Sequence, residues 1–297
     1  MKFIDLWKKG RFGVGNVLAT IFLIILAYLL GSSFLSIELA LNFPDFSFVS
    51  NSDIKALSSL MGKNRLFIWM LIPFCLVFIT FLLCLTKIHK VPLLSIFTAR
   101  ESFDWNRVLI SFSLWSLMIF CVTGIGLFFN DNFEVIFNPQ KFALLFLLAL
   151  FLLPVQTTIE ELVFRGYLIQ GINKRTGNII LSIITSGIMF GVMHMANPEI
   201  LKIGYHILLY YIAVGVVLGF IVYYDDGLEL TLGFHAANNI ITVLLITADW
   251  QAFQTDAILK DNKAPGNGIV DILLGTTALF LFFFILSKKY KWQKKLV

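Results

Sequence analysis

Apolar residues run almost unbroken through eight stretches of the chain, at 14–37, 66–86, 108–130, 142–164, 178–197, 203–224, 230–248 and 269–287. A helix rises ~1.5 Å per residue, so each comes close to the roughly 20 residues needed to cross a ~30 Å hydrocarbon core. The last stretch is the weakest, because its charge-free part begins only after Asp271. Lipid cannot satisfy open backbone groups, and the ~10-residue alternating segments of a membrane barrel are absent. The pattern therefore predicts an all-α, polytopic membrane protein of about eight transmembrane helices, forming one membrane domain over 1–297. The opening run, free of charge from Phe12 to Ile37, is far longer than the ~7–15 apolar residues of a signal peptide. It is expected to be a retained first span.

Composition points the same way. Hydrophobic residues make up 58% and charged residues 14% of the 297 residues, against roughly 45–50% and about 25% in globular domains. That leaves too little charge to solvate a globular surface, and the net charge of +5 is too small to argue for nucleic acid. With the N-terminus cytoplasmic, Lys and Arg divide 16 inside to 7 outside, which predicts both termini inside; in a bacterium the membrane is the cell membrane. Only the acidic turn with Asp225, Asp226 and Glu229 dissents. Trp7, Trp105, Trp250 and Trp292 fall at span ends, as an interfacial belt would place them. Loop 38–65 is expected on the outer side, with a short helix along the interface, and the Lys-rich tail is expected to touch anionic lipid. Cys75, Cys84 and Cys121 lie inside apolar runs and read as small hydrophobes, not as a disulfide or metal framework.

Chemistry is sought where the bilayer should exclude polarity, since a charge at a helix centre costs ~2.5–3.5 kcal/mol even on lenient insertion scales. The fourth span carries IEELVFRG, in which Glu161 and Arg165 are i,i+4 neighbours able to pair while Glu160, about 100° away, stays available. Pro154 is expected to kink this helix. The fifth span places Phe190 and His194 at i,i+4, with Gly187 and Gly191 permitting close helix approach. The seventh places His235 on a face with Asn239, with Asn238 almost on that face. His89 and His206 lack polar partners at helical spacing and read as local hydrogen bonders.

A carboxylate, two imidazoles and an amide suit acyl transfer to water: Glu with His can activate water, and His with Asn can stabilise a tetrahedral oxyanion. No GxSxG elbow is present and no cysteine lies beside these residues, which disfavours a covalent route. Glu160, His194 and His235 could instead be the ligands of a zinc site of the His₂Glu type; the HExxH spacing is absent, so no cofactor is expected to be required, while zinc stays open without being indicated by spacing. The competing class is a non-proteolytic transporter, scaffold or immunity protein using the same polar network. A transporter predicts internal hydropathy repeats and paired broken helices, and the sequence has neither.

These residues resemble the motifs of the CPBP family, the CAAX-prenyl-protease and bacteriocin-processing intramembrane proteases also called Abi proteins. Its EExxxR motif stands here as Glu160, Glu161 and Arg165, its FxxxH motif as Phe190 and His194, and its HxxxN motif as His235 and Asn239. The resemblance covers about 142–245 and implies a CAAX-protease-like helical bundle with that stretch as catalytic core. It implies an endopeptidase acting on a membrane-associated peptide or lipid-modified protein. In that carry-over Glu160 and His194 activate water, His235 and Asn239 bind the oxyanion, and Glu161, Arg165 and Phe190 support them. The family pattern selects Asn239 over Asn238.

Overall fold

The computed structural model describes residues 2–43, 54–129, 132–263 and 268–292, with the side chains of Trp7, Lys8 and Asp271 excepted. A 3₁₀ segment, Phe3–Lys9, precedes α1 (Val14–Asn42), α2 (Ile54–Met61) and α3 (Lys63–Leu83). A π-helical turn, Cys84–Ile88, leads to α4 (Leu93–Phe97), α5 (Trp105–Phe129), β1 (Phe133–Val135) and α6 (Pro139–Glu161). A second π turn, Leu162–Leu168, joins α6 to α7 (Ile169–Thr176), followed by α8 (Ile179–Met193) and α9 (Pro198–Ile203). The chain continues through α10 (Ile207–Asp225), α11 (Glu229–Leu245), β2 (Ile246–Thr247), β3 (Leu259–Asp261) and α12 (Ile269–Lys289).

The protein is a polytopic helical membrane protein, and among the described residues seven helical runs are long and apolar enough to span. The eighth expected span, α11, has 17 residues, about 26 Å at ~1.5 Å each. It is the helix most enclosed by protein, buried from Glu229 through His235 and again at Ala237, Ile240 and Val243. It packs on α5 and α6, while α8 packs on α10 and α1 on α3. Small residues set these approaches: a Cβ on Gly215 would lie 2.7 Å from the Cα of Gly187, so α8 and α10 touch backbone to backbone.

Several expectations need correction. The helical fold stands as expected, with one small addition: β1, β3 and β2 form a short sheet, antiparallel between β1 and β3 and parallel between β3 and β2. Strands of two or three residues carry too little alternation to be read from sequence. Trp105 is exposed, but Trp292 is only 5% exposed and stacks on Tyr224, so it belongs to the core and not to an interfacial belt. Trp250 is half-buried, and the side chain of Trp7 lies outside the described residues. Cys84 is buried, whereas Cys121 faces outward from α5 among lipid-compatible neighbours. Of loop 38–65, residues 44–53 lie outside the described residues, and α2 forms the short helix that follows them. The end of the Lys-rich tail, 293–297, is likewise outside them.

The acidic turn owes its place to arginines from another loop. Asp225 lies 2.9 Å from Arg100 and also pairs with Arg107, and Glu229 lies 2.8 Å from Arg100. Backbone bonds from Ala99 to Asp226 and from Leu228 to Phe97 add to this clasp, which fixes the start of α11. His89, fully buried, sits between Thr20 at 2.8 Å, Tyr167 at 3.1 Å and the Arg11 carbonyl at 2.9 Å, tying α1 to the π turn after α6.

Candidate active site

Glu160 and Glu161 close α6, immediately before the backbone widens into the π turn. Such turns recur at functional sites, because the extra residue re-aims the side chains that follow. The pairing expected for a regular helix nevertheless forms: Arg165 Nη1 lies 3.0 Å from Glu161 Oε1, and both side chains are 0% exposed. The guanidinium carbon also lies 4.2 Å from the ring centre of Phe190 on α8, so an aromatic face adds to the stabilisation of its charge.

Phe190 is the hub of the site. Its ring centre lies 4.5 Å from that of His194 and 6.1 Å from that of His235. His194 is not within a continuing helix, as the run 178–197 implied; α8 ends at Met193 and His194 opens a 3₁₀ turn. Pro198 accounts for the break, because it disfavours helical backbone at the preceding residue, and Asn197 is extended with φ −70° and ψ 139°. His194 Nδ1–H donates to the Phe190 carbonyl at 2.7 Å, which leaves Nε2 as the acceptor face of a neutral ring. The ring stacks on Tyr211 of α10 at 4.2 Å.

His235 lies between the two glutamates. Its Nδ1–H donates to Glu161 Oε1 at 2.8 Å, and its Nε2 is 3.6 Å from Glu160 Oε2. The Glu161 carboxylate thus orients the ring, with Nδ1 toward itself and Nε2 toward Glu160, while Arg165 balances its charge. One helical turn on, Asn239 Nδ2 donates to Gln156 Oε1 at 2.9 Å, and Gln156 Nε2 donates to Glu160 Oε1. Glu160 is therefore held by one oxygen, not left wholly available.

All seven motif residues, Glu160, Glu161, Arg165, Phe190, His194, His235 and Asn239, converge from α6, the π turn, α8, the 3₁₀ turn after it and α11. The sequence reading passed over Gln156, whose i,i+4 spacing to Glu160 was the available signal, and Tyr211, for which the sequence carries none. Among the described residues no three His, Cys, Asp or Glu side chains are grouped to hold a metal ion. Glu160, His194 and His235 do not form such a set.

The chain is 33% identical over 162 residues to YyaK, an uncharacterized protein of Bacillus subtilis strain 168, a stretch that is 54% of each chain. It thus spans about half the length of that curated relative. Over residues 139–241, which contain every motif position, the chain matches the family of type II CAAX prenyl endopeptidases described as Rce1-like, and this is the group its motifs resemble.

Proposed function

We propose that the protein is an intramembrane endopeptidase that hydrolyses a peptide bond of a membrane-associated protein or peptide with water, no cofactor being required. The observation that carries this reading is the seat of His235 between two carboxylates with the Asn239 amide one turn away. Water held between Glu160 Oε2 and His194 Nε2 would face two acceptors. Glu160 takes its proton as the oxygen attacks the carbonyl carbon. Protonated His235 Nε2–H and the spare N–H of Asn239 Nδ2 then donate to the oxyanion, and Glu160 returns the proton to the leaving amine. Glu161 and Arg165 hold His235 in register. The termini lie on the cytoplasmic side, with lipid around the bundle and a peptide or lipid-modified protein as substrate.

The test compares new protein termini, by mass spectrometry, in membranes of cells making wild-type, Glu160→Ala or His194→Ala protein at equal abundance. Termini that vanish with both variants are expected. Identical termini with equally folded proteins would leave the polar network to transport or scaffolding.

A further inference from the structure

We infer that Trp115, Asn238 and Gln156 form a one-way hydrogen-bond relay that fixes which face of Asn239 and which oxygen of Glu160 meet the substrate. The inference rests on the peptidase reading above. The oxygen and nitrogen of a side-chain amide are nearly equal in size, so packing alone does not choose between its two orientations; partners do.

Here the head of the chain chooses. An indole N–H can only donate, and Trp115 Nε1 lies 3.1 Å from Asn238, which must therefore present Oδ1 to it. That turns Asn238 Nδ2 toward Asn239, where it donates to Oδ1 at 3.1 Å. Asn239 is left to present Nδ2 to Gln156 Oε1 at 2.9 Å, and Gln156 then presents Nε2 to Glu160 Oε1. Reversing any one amide would set oxygen against oxygen or N–H against N–H at both of its contacts.

The head itself is pinned. Trp115 on α5 is 4% exposed, with its ring centre 4.3 Å from Phe234 and 5.4 Å from Phe282. Gln156 is 6% exposed, so little water competes for its amide. The relay spans α5, α11 and α6 and has two consequences for the chemistry. Asn239 spends one of its two N–H groups on Gln156 and turns its oxygen to Asn238, so toward a substrate it can only donate, as an oxyanion requires. Glu160 Oε1 is tied back, which leaves Oε2, the oxygen nearer His235 Nε2, for the water. Trp115, Asn238 and Gln156 are thus positioning residues that touch no reacting atom.

The test uses full-length protein in lipid nanodiscs and an internally quenched peptide ending in a farnesylated Cys-Ala-Ala-X sequence, or the Glu160-dependent cleavage found by termini mapping if that peptide is not cut. Asn238→Asp keeps the shape and still accepts from Trp115, but offers Asn239 an acceptor where it needs a donor. Asn238→Ala imposes no orientation. Expected is a loss of kcat of at least about tenfold for Asn238→Asp with KM within about threefold, and a smaller loss for Asn238→Ala. A packing role predicts the opposite order, because alanine opens a cavity and aspartate does not, and that order would overturn the relay. Should Asn238→Asp not fold, Trp115→Phe removes the head donor along with part of the indole's volume, and a kcat unchanged within about twofold overturns the relay as well. In either case loss of cleavage in Glu160→Ala leaves the peptidase reading standing. A wild-type protein with no Glu160-dependent cleavage overturns both.

Discussion

Glu161 is the residue whose replacement separates folding from chemistry. Its Oε1 takes Arg165 at 3.0 Å and His235 at 2.8 Å, with no exposure to solvent. Glu161→Gln keeps the shape but strands the guanidinium, and removing one partner of a buried ion pair costs about 3–5 kcal/mol. Part of that is retained by the Phe190 face, whose cation–π contact contributes roughly 1–2 kcal/mol in a desolvated setting. A net loss of about 1–4 kcal/mol is expected. Adding Arg165→Met removes the stranded charge, and an apolar pair of similar volume is often neutral against the original. The double variant should therefore recover most of the stability.

Activity should not recover with it. The amide at 161 can offer His235 Nδ1 an N–H as readily as an oxygen, so the ring is no longer held with Nε2 toward Glu160, and the loss of an equivalent orienting carboxylate in a hydrolytic triad lowers kcat by about 10⁴. The assay is a cycle of wild type, both single variants and the double variant, unfolded reversibly in mixed micelles and tested for Glu160-dependent cleavage. A double variant as unstable as the sum of its singles would refute the ion-pair account. One that regains cleavage would refute the orienting role.

Other outcomes follow from the same coordinates. Gly187→Val presses a side chain against the backbone nitrogen of Val216, 2.8 Å from an added Cβ, and should destabilise by about 1–3 kcal/mol in the same unfolding assay. Glu199, on α9, has its pKa raised by burial. Its folded value exceeds its unfolded one, so its contribution is fully present below the unfolded pKa and lost as pH rises through the folded value. Glu199→Gln, which keeps the acceptor for Ala252 N–H at 2.8 Å, should therefore gain stability over wild type as pH rises from the ordinary carboxylate range and show no gain below it. Cysteines placed at Glu101 and Asn262 in a cysteine-free background should label from opposite sides of the membrane, Glu101 from the side of the termini. Peptidase activity should survive exhaustive chelation; its loss, with restoration by stoichiometric zinc, would return zinc to the mechanism.

The sequence made the membrane helices legible because the bilayer enforces length and apolarity, and it made the motif residues legible because lipid penalises them. The eight apolar stretches correspond to α1, α3, α5, α6, α8, α10, α11 and α12. What stayed hidden depends on backbone detail or on partners distant in the chain. The π turn at Leu162–Leu168 has no signature in spacing, since the Glu161–Arg165 pair satisfies a regular helix equally well. Gln156 reads as one tolerable amide in an apolar run until α11 brings Asn239 beside it.

The acidic turn at Asp225 and Glu229 shows the same limit in charge. Counted by loops, these carboxylates oppose the distribution of Lys and Arg, because a loop count treats each charge as solvated on its own. In the folded chain Arg100 and Arg107 are their partners, so the two loops share one end of the bundle and their charges are spent on each other. The clasp also sits where α11 begins, six residues before His235. Buried ion pairs add little net stability over apolar packing, but they do set register. Here the register they set is that of the helix carrying the imidazole and amide of the site. Conversion of Arg100 to Met together with Glu229 to Met removes that pair whole and leaves Asp225 with Arg107 alone, so it should cost some stability and also lower kcat through a displaced His235. A kcat within about twofold of wild type would limit the clasp to joining the two loops.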